Sequence, residues 1–273
     1  MAIITISRQV AALGDEIASE LAERLNYNFE GRKAIEQKIV DLGFSADKLK
    51  KYDERKPGFF ASLAKDRDEY LAYLQTAVLE VAEKNNVILI GRGAGIILEG
   101  IPNHIGLRFV SDNEIRRERL KKEFSWNDKQ ANQRIEESDS NRLGFHRSFF
   151  NVDNSDPILY HLTINTGILS VAQAVDQIET LVKSKITSDI EESGKFKLGE
   201  QIKAQHLVNQ LVFNYHLNIS FLRAEINGKE ILLHGVADSS TQAEKAVALA
   251  GTLLIGYKIK SAITVVQDYK AYP

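Results

Sequence analysis

The 273-residue sequence contains no cysteine, one methionine, one tryptophan and four prolines. Without thiols there is no disulfide framework and no thiolate zinc site, and the composition suits a reducing cytoplasm, where the chain is expected to reside. No stretch approaches the ~18 apolar residues that a membrane-spanning helix requires. The N-terminus enters an apolar segment directly, with no basic stretch leading to an apolar run and a small-residue cleavage site. A formal net charge of −2 gives no global pull toward nucleic acid or an anionic membrane. Any anion site must therefore come from a few local arginines and oriented backbone dipoles. The six histidines, His104, His146, His161, His206, His216 and His234, lack the close helical spacing of a metal cluster and read as unrelated core or surface residues, so no metal ligand set is expected.

What is present begins at the first residues. The apolar run Ile3-Ile4-Thr5-Ile6 reads as a strand, and Ser7-Arg8-Gln9-Val10-Ala11-Ala12-Leu13-Gly14 leads into an amphipathic helix near Asp15, with Ile17, Leu21 and Leu25 on one face. A phosphate-binding loop belongs at such a turn. A loop of the G-x-x-x-x-G-K-[ST] type uses glycines so that backbone N–H groups curl around phosphate oxygens, a lysine for the outer phosphates and a hydroxyl for magnesium. Here Ala11 and Leu13 carry Cβ atoms that disfavour positive φ, and neither a lysine nor a hydroxyl stands at the end of the loop. Asp15 and Glu16 place negative charge at a helix N-terminus, which stabilises the empty helix and opposes a bound triphosphate.

Further along, residues 33–56 are polar, broken by Gly43 and Pro57, and Tyr70, Leu71, Leu74, Val78, Val81 and Ala82 mark a long helix ending at Asn85-Asn86. The run Val87-Ile88-Leu89-Ile90 is too short for a helix and suits a strand covered on both faces. A third strand, Leu107-Arg108-Phe109-Val110, precedes a capping pattern of Ser111 with Glu114 and a basic helix holding Arg116, Arg117, Arg119, Lys121 and Lys122. Ser125 with Asp128 begins another helix running toward Asp139. A fourth strand is expected over residues 159–164, then Asn165-Thr166-Gly167 and a helix capped by Ser170 and Gln173 with the stripe Val171, Val175, Ile178, Val182. Alternating strands and helices imply an α/β fold with a parallel, helix-covered sheet.

Residues 187–199 shift to Ser, Asp, Glu, Gly and Lys without periodicity, and the domain boundary is placed there. Beyond it a helix carrying Ile202, Val208, Leu211, Val212 and Tyr215 precedes a strand over 219–226, the hairpin signal Asn227-Gly228, a strand over 230–236, a helix capped by Ser239 and Gln242, and a closing strand over 262–266. The order is α-β-β-α-β.

Three groups of residues bear on chemistry. Gly91-Arg92-Gly93-Ala94-Gly95 follows the buried strand, at the sheet edge where ligands of open α/β folds bind, so Arg92 is placed to meet an anion; the plain alternative is a tight turn with an exposed arginine. The basic helix is either a solvated face or a cover whose arginines neutralise phosphoryl charge. Asp139 and Arg142 share a helical face, where the simplest account is an intrahelical ion pair worth about 0.2–0.5 kcal/mol.

Taken in order, Ile4-Thr5-Ile6-Ser7-Arg8-Gln9, Glu16-Ile17-Ala18, Ile90-Gly91-Arg92-Gly93-Ala94, Asp139 to Arg142, and Asn165-Thr166-Gly167 resemble the cytidylate kinase-like family, a divergent branch of the P-loop nucleoside monophosphate kinases. The resemblance implies a P-loop-type three-layer parallel sheet over residues 1–186, transferring the γ-phosphoryl of ATP to a nucleoside monophosphate with Mg²⁺ when active. It assigns Arg8, Gln9, Ala11, Ala12, Leu13, Gly14, Asp15 and Glu16 to the phosphate loop. Arg32, Gly91, Arg92, Gly93, Asp139 and Arg142 fall to the acceptor nucleotide, and Arg116, Arg119 and Arg142 to catalysis. Family members usually read Gly-Ser-Gly-Gly where this chain has Ala11-Ala12-Leu13-Gly14, and Gly31 stands where an aspartate is usual. A catalytically inactive relative, acting as nucleotide sensor or scaffold, is the alternative. Residues 200–273 resemble a BON domain through Ile226-Asn227-Gly228-Lys229, Leu233-His234-Gly235-Val236 and Ile255-Gly256-Tyr257-Lys258-Ile259, which implies a possible protein partner. The partners expected are thus a nucleotide and a protein, with no nucleic acid and no transmembrane segment.

Overall fold

A computed structural model describes residues 2–52 and 64–266. The β-branched run after Ala2 becomes β1 (Ile3–Arg8), and Ile3, Ile4 and Ile6 are buried because this strand lies at the centre of a sheet covered on both faces. Five strands form that sheet in the order β2-β3-β1-β4-β5: β2 (Asn28–Glu30), β3 (Val87–Ile90), β4 (His104–Val110) and β5 (Leu162–Asn165). Every pairing is parallel, with Ile6 opposite both Ile90 and Leu107. Parallel neighbours require crossover connections, supplied mainly by α1 (Gly14–Leu25), α2 (Arg32–Asp41), α3 (Ala46–Leu49), α4 (Ala64–Glu83), α5 (Ala94–Ile97), α6 (Asn113–Phe124) and α7 (Asp128–Phe150). α8 (Val171–Lys185) follows β5. This P-loop-type arrangement gathers the loops after β1, β3, β4 and β5 at the carboxyl edge of the sheet, where open α/β folds bind ligands.

The face of the sheet toward α1 and α8 closes over Ile4, Ile6, Ile88, Ile90, Leu107 and Phe109, met by Ile17, Leu21, Val175 and Ile178. Each fully buried isoleucine or leucine removes enough apolar surface to stabilise the fold by about 1.5–3 kcal/mol relative to exposure. On the outside, Arg24 of α1 bonds both Glu20 and Asp176 of α8.

Several boundaries differ from those expected, each for a local reason. α6 is capped by Asp112, whose carboxylate accepts from the Glu114 amide at 2.7 Å, so the expected Ser111 cap lies one residue early. α7 starts at Asn127, whose side chain exchanges a reciprocal capping box with Gln130, and Ser125 instead takes the left-handed turn between the two helices. The fourth strand is confined to residues 162–165 because Pro157–Leu159 turns as a 3-10 helix. The three-residue edge strand β2 was not expected, since its exposed Asn28 and Phe29 leave no alternating pattern. The polar stretch after Lys33 carries α2 and α3, and the break expected at Pro57 lies outside the described residues.

The chain divides into two compact units, Met1–Lys195 and Phe196–Pro273. Residues 187–199, expected to be irregular, belong largely to α9 (Ser188–Asn209). They lack an apolar stripe, but the Thr187 hydroxyl accepts from the Ile190 amide and Glu191–Lys195 forms an i,i+4 ion pair, which are helix signals independent of periodicity. In the second unit β6 (Ile219–Asn227) pairs antiparallel with β7 (Glu230–Ala237), and β8 (Lys258–Val265) joins β7 in parallel after α10 (Ser240–Leu253). The turn at Asn227-Gly228 forms as expected, whereas the Ser239 cap makes no side-chain bond to its helix and its hydroxyl meets Asp238 at 3.1 Å. Leu207, Leu211, Ile231, Leu233, Ala246 and Ala250 form this unit's own core.

Two histidines expected to be unrelated meet in the first unit, His104 buried and His161 exposed. The rings of His104 and His161 meet edge-on at 5.7 Å, and His104 Nε2 lies 2.7 Å from the Thr5 hydroxyl. Burial first, and the neighbouring His161 second, push the His104 pKa down to about 3, against a hydrogen bond to the Leu98 backbone. An unfolded histidine titrates near ~6.5, so below that pH the unfolded chain takes up a proton that the native state refuses. Stability from this group is thus complete above ~6.5 and declines by up to about 1.4 kcal/mol per pH unit as the medium acidifies toward 3. Urea unfolding of wild type and His104→Gln at pH 7 and pH 5 should show a smaller loss in the variant, by about 2 kcal/mol. Equal losses would refute the assignment.

Candidate functional site

The turn between β1 and α1 keeps the shape of a phosphate loop without its glycines. Ala11 and Leu13 adopt left-handed conformations at φ 57° and 56°, and Leu13 caps α1. Setting the G-x-x-x-x-G-K-[ST] spacing so that its second glycine falls on this capping residue puts Arg8 at the first glycine, Gly14 at the lysine and Asp15 at the hydroxyl. Leu13 packs on the core beneath α1, and Ala12 is buried. Among the described residues the N–H groups of Val10, Ala11, Leu13, Gly14, Asp15 and Glu16 meet no acceptor. Unused backbone donors at a helix N-terminus are of the kind that suit anionic oxygens. Gln9 faces elsewhere: its side-chain oxygen accepts from the Ser111 amide at 3.0 Å and ties the loop to the end of β4.

The carbonyls of the same loop are held from behind by α6. Arg116, with its side chain fully buried, donates from Nε to the Val10 carbonyl at 2.9 Å and forks onto both carboxylate oxygens of Asp139 at 2.9 Å. Arg119 donates to the Ala11 carbonyl at 2.9 Å and to the Thr166 hydroxyl and carbonyl at 3.1 and 2.6 Å. Burial lowers the Arg119 pKa, and the charge of Glu16 opposes this. This corrects two expectations. Asp139 is the partner of Arg116 rather than of Arg142, because the fork from α6 satisfies both of its oxygens. The reading of the basic helix as a solvated face is likewise not what Arg116 and Arg119 form, since both bond the loop carbonyls.

Across the cleft, Gly91, Arg92 and Gly93 all have positive φ, turning the chain sharply between β3 and α5. A Cβ on Gly93 would lie 2.3 Å from the Phe150 ring, so glycine is required there on two counts. Arg92 is not exposed: its side chain is fully buried, donates to the Tyr52 carbonyl at 2.8 Å, pairs with Glu36, and stands 5.9 Å from the centre of the Phe145 ring. Arg32 donates to the same Glu36 carboxylate at 2.7 Å. Burial alone would raise the Glu36 pKa, but the bonds and charges of Arg32 and Arg92 outweigh it and hold the carboxyl below its usual range. Arg142 bonds the Ser138 hydroxyl one turn back.

A cleft runs between these groups, lined by Ser7, Arg8, Arg92, Arg142, His146 and Tyr160 among others. Arg108 lies behind it, buried in β4, donating to the Ser7 hydroxyl at 3.0 Å and the Tyr160 hydroxyl at 3.3 Å. Ser7, Arg108, His146 and Tyr160 were not among the residues assigned a role from sequence. The signal for Arg108 was its cation inside an otherwise apolar strand. Among the described residues no cluster of three or more histidines and carboxylates is placed to hold a metal, and no helix is long and apolar enough to cross a membrane.

A sequence profile of the cytidylate kinase-like family matches residues 3–168, more than half of the chain. The chain belongs to the cytidylate kinase-like family. Cytidylate kinase of Methanocaldococcus jannaschii is 26% identical over 187 residues, covering 65% of this chain and 99% of that protein. The crystal structure of an uncharacterised Eubacterium ventriosum protein superposes with a TM-score of 0.55 at 23% identity, over 67% of this chain and 98% of the other. That likeness bears on the fold alone, and the fold it shares is the one described above.

The Arg116–Asp139 fork yields a stability test. Asp139→Ala leaves a fully buried guanidinium without its carboxylate and should cost about 3 kcal/mol in chemical denaturation. Adding Arg116→Met should recover part of that loss, since it removes the stranded charge. Simple additivity of the two losses would show that the pair is not coupled.

Proposed function

We propose that this chain binds a nucleoside monophosphate in the cleft lined by Arg92 and Arg142, takes the phosphates of ATP on residues 9–14, and moves the γ-phosphoryl group between them. The observation that carries this reading is the loop itself: two non-glycine residues are held in left-handed backbone, leaving six N–H groups without a protein acceptor. Phosphoryl transfer demands positioning and neutralisation of charge more than a covalent catalyst, and amides with arginines supply both. The family resemblance further assigns Asp139 to the acceptor side; in this reading Asp139 serves indirectly, by fixing Arg116 against the loop. Mg²⁺, which in this chemistry neutralises charge shared between donor phosphates, would meet oxygen donors in Asp15 and Glu16, the hard ligands that this ion prefers.

A second reading is favoured by the same end of the helix. Asp15 and Glu16 are carboxylates beside the phosphate site, and Arg116 and Arg119 already bond the protein. In that reading the chain is an inactive relative that senses a nucleotide. We propose in addition that residues 200–273, with their α-β-β-α-β order, form an interaction module similar to a BON domain that engages a protein partner.

The two readings part in one experiment. Wild type with ATP and Mg²⁺ is screened against a panel of nucleoside monophosphates for product, while melting is followed with each nucleotide alone. Phosphotransfer should appear with at least one acceptor, and Arg142→Met should lower kcat at least tenfold, about 1.4 kcal/mol of transition-state stabilisation, without lowering the melting temperature of the free protein. A ligand at 100 times its Kd stabilises by about 2.7 kcal/mol, so melting rises without any product would establish the sensor. The absence of both responses would remove the nucleotide assignment altogether.

A further inference from the structure

Resting on the assignment of residues 9–14 to ATP phosphates, we infer that Arg8, reaching across from β1, is the cation that the loop takes in place of its missing lysine. In the spacing set by the left-handed Leu13, the lysine position is Gly14, which has no side chain. The space is not left to solvent. A Cβ built on Gly14 would lie 2.7 Å from Arg8 Cγ and 2.9 Å from Arg8 Cβ, so the aliphatic stem of Arg8 runs directly over the first residue of α1. A strand residue thereby delivers a positive charge to the position from which the helix of a typical loop delivers its own.

The state of the guanidinium supports a ligand. The Arg8 side chain is only 14% exposed, yet its contact with a charged partner is Asp15 Oδ1 at 3.8 Å, beyond hydrogen-bond range, and no hydrogen bond of its side chain occurs among the described residues. Arg116 and Arg119 lie close by with their donors on carbonyls, a carboxylate and a threonine. Arg8 thus combines shelter from water with five unused donors, beside a row of unused backbone donors. It also lines the cleft that holds Arg92 and Arg142, which places it between the donor loop and the acceptor side. A planar guanidinium there forks onto two oxygens of one phosphoryl group, where a lysine offers a single point charge. Gly14 follows from the same geometry, since any larger residue displaces the stem.

The test uses the full chain, with Mg·ATP and tripolyphosphate as probes and melting shift and calorimetric Kd as readouts. Arg8→Met keeps the stem over Gly14 and removes the charge; it should weaken both probes about 10- to 100-fold, the range expected for losing a charge-assisted bond, while the free protein melts as wild type does. Arg8→Gly with Gly14→Lys, which removes the stem that a side chain at position 14 would meet and restores a cation by the usual route, should recover at least tenfold of the loss. Arg8→Met binding both probes like wild type would overturn the role of Arg8 and leave the nucleotide assignment standing. A wild type stabilised by tripolyphosphate but not by Mg·ATP would overturn the nucleotide assignment and keep Arg8 as the loop cation. A wild type indifferent to both probes would overturn both.

Discussion

The guanidinium of Arg116, buried beneath the phosphate loop, is the interaction on which the first unit's functional edge depends. It joins three elements at once: the loop through the Val10 carbonyl, α6 through Asn113, and α7 through both oxygens of Asp139. A fully desolvated cation is stable only when such partners surround it. The loop, in turn, has few means of holding its own shape. Ala11 and Leu13 each occupy left-handed backbone at a cost of about 1–2 kcal/mol. The bonds from Arg116 and Arg119 to the adjoining carbonyls, worth about 1.5–3 kcal/mol each when a charged group takes part, are sufficient to offset that strain. The packing of Leu13 on the core adds to them.

That division of labour explains how this loop holds left-handed backbone at Ala11 and Leu13 without glycine. Glycine makes the conformation accessible through the loop's own backbone freedom. Here the conformation is imposed by neighbours, with the Val10 and Ala11 carbonyls bonded by arginines and the amides without an acceptor among the described residues. Imposition has a consequence for α6 and α7: both helices are fastened to the loop through the buried Arg116 and its bonds to Val10 and Asp139. Any closing motion of these helices must either carry the loop along or break the Arg116 fork.

The parallel sheet was legible because its signals are local. Val87-Ile88-Leu89-Ile90 is a strand at those residues, and the Ser170–Gln173 capping box starts α8 where expected. Misplaced caps and strands followed from choices between adjacent polar residues, such as Ser111 against Asp112, which differ only in which backbone reaches the amide. The aperiodic stretch before residue 200 folded as helix through ion pairs and a threonine cap, features that an apolar period does not report. At the site, the residue types were legible and the partners were not. Asp139 and Arg142 share a helical face in the sequence, yet the fork reaching Asp139 comes from 23 positions earlier in the chain. Likewise nothing near Arg92 in sequence announces Glu36, the carboxylate with which its buried guanidinium pairs.

The carboxylates at the head of α1 are the strongest objection to a phosphate there, and magnitude decides it. The Asp15 side chain is 65% exposed, so its field is that of a charge in water. Two unit charges 4 Å apart interact by about 1 kcal/mol in that medium, and salt screens the interaction further over about 8–10 Å. Arg8, Arg116 and Arg119 stand on the sheltered side of the same loop, where a lower effective dielectric enlarges each charge's influence several-fold. Arg116 is compensated by Asp139, but Arg8 faces only the distant and hydrated Asp15. The net field at the loop amides is consequently set by the sheltered cations rather than by the more visible anions. A chain whose total charge is slightly negative can on this basis present sheltered positive charge at the carboxyl edge of its sheet, beside backbone donors that meet no acceptor among the described residues.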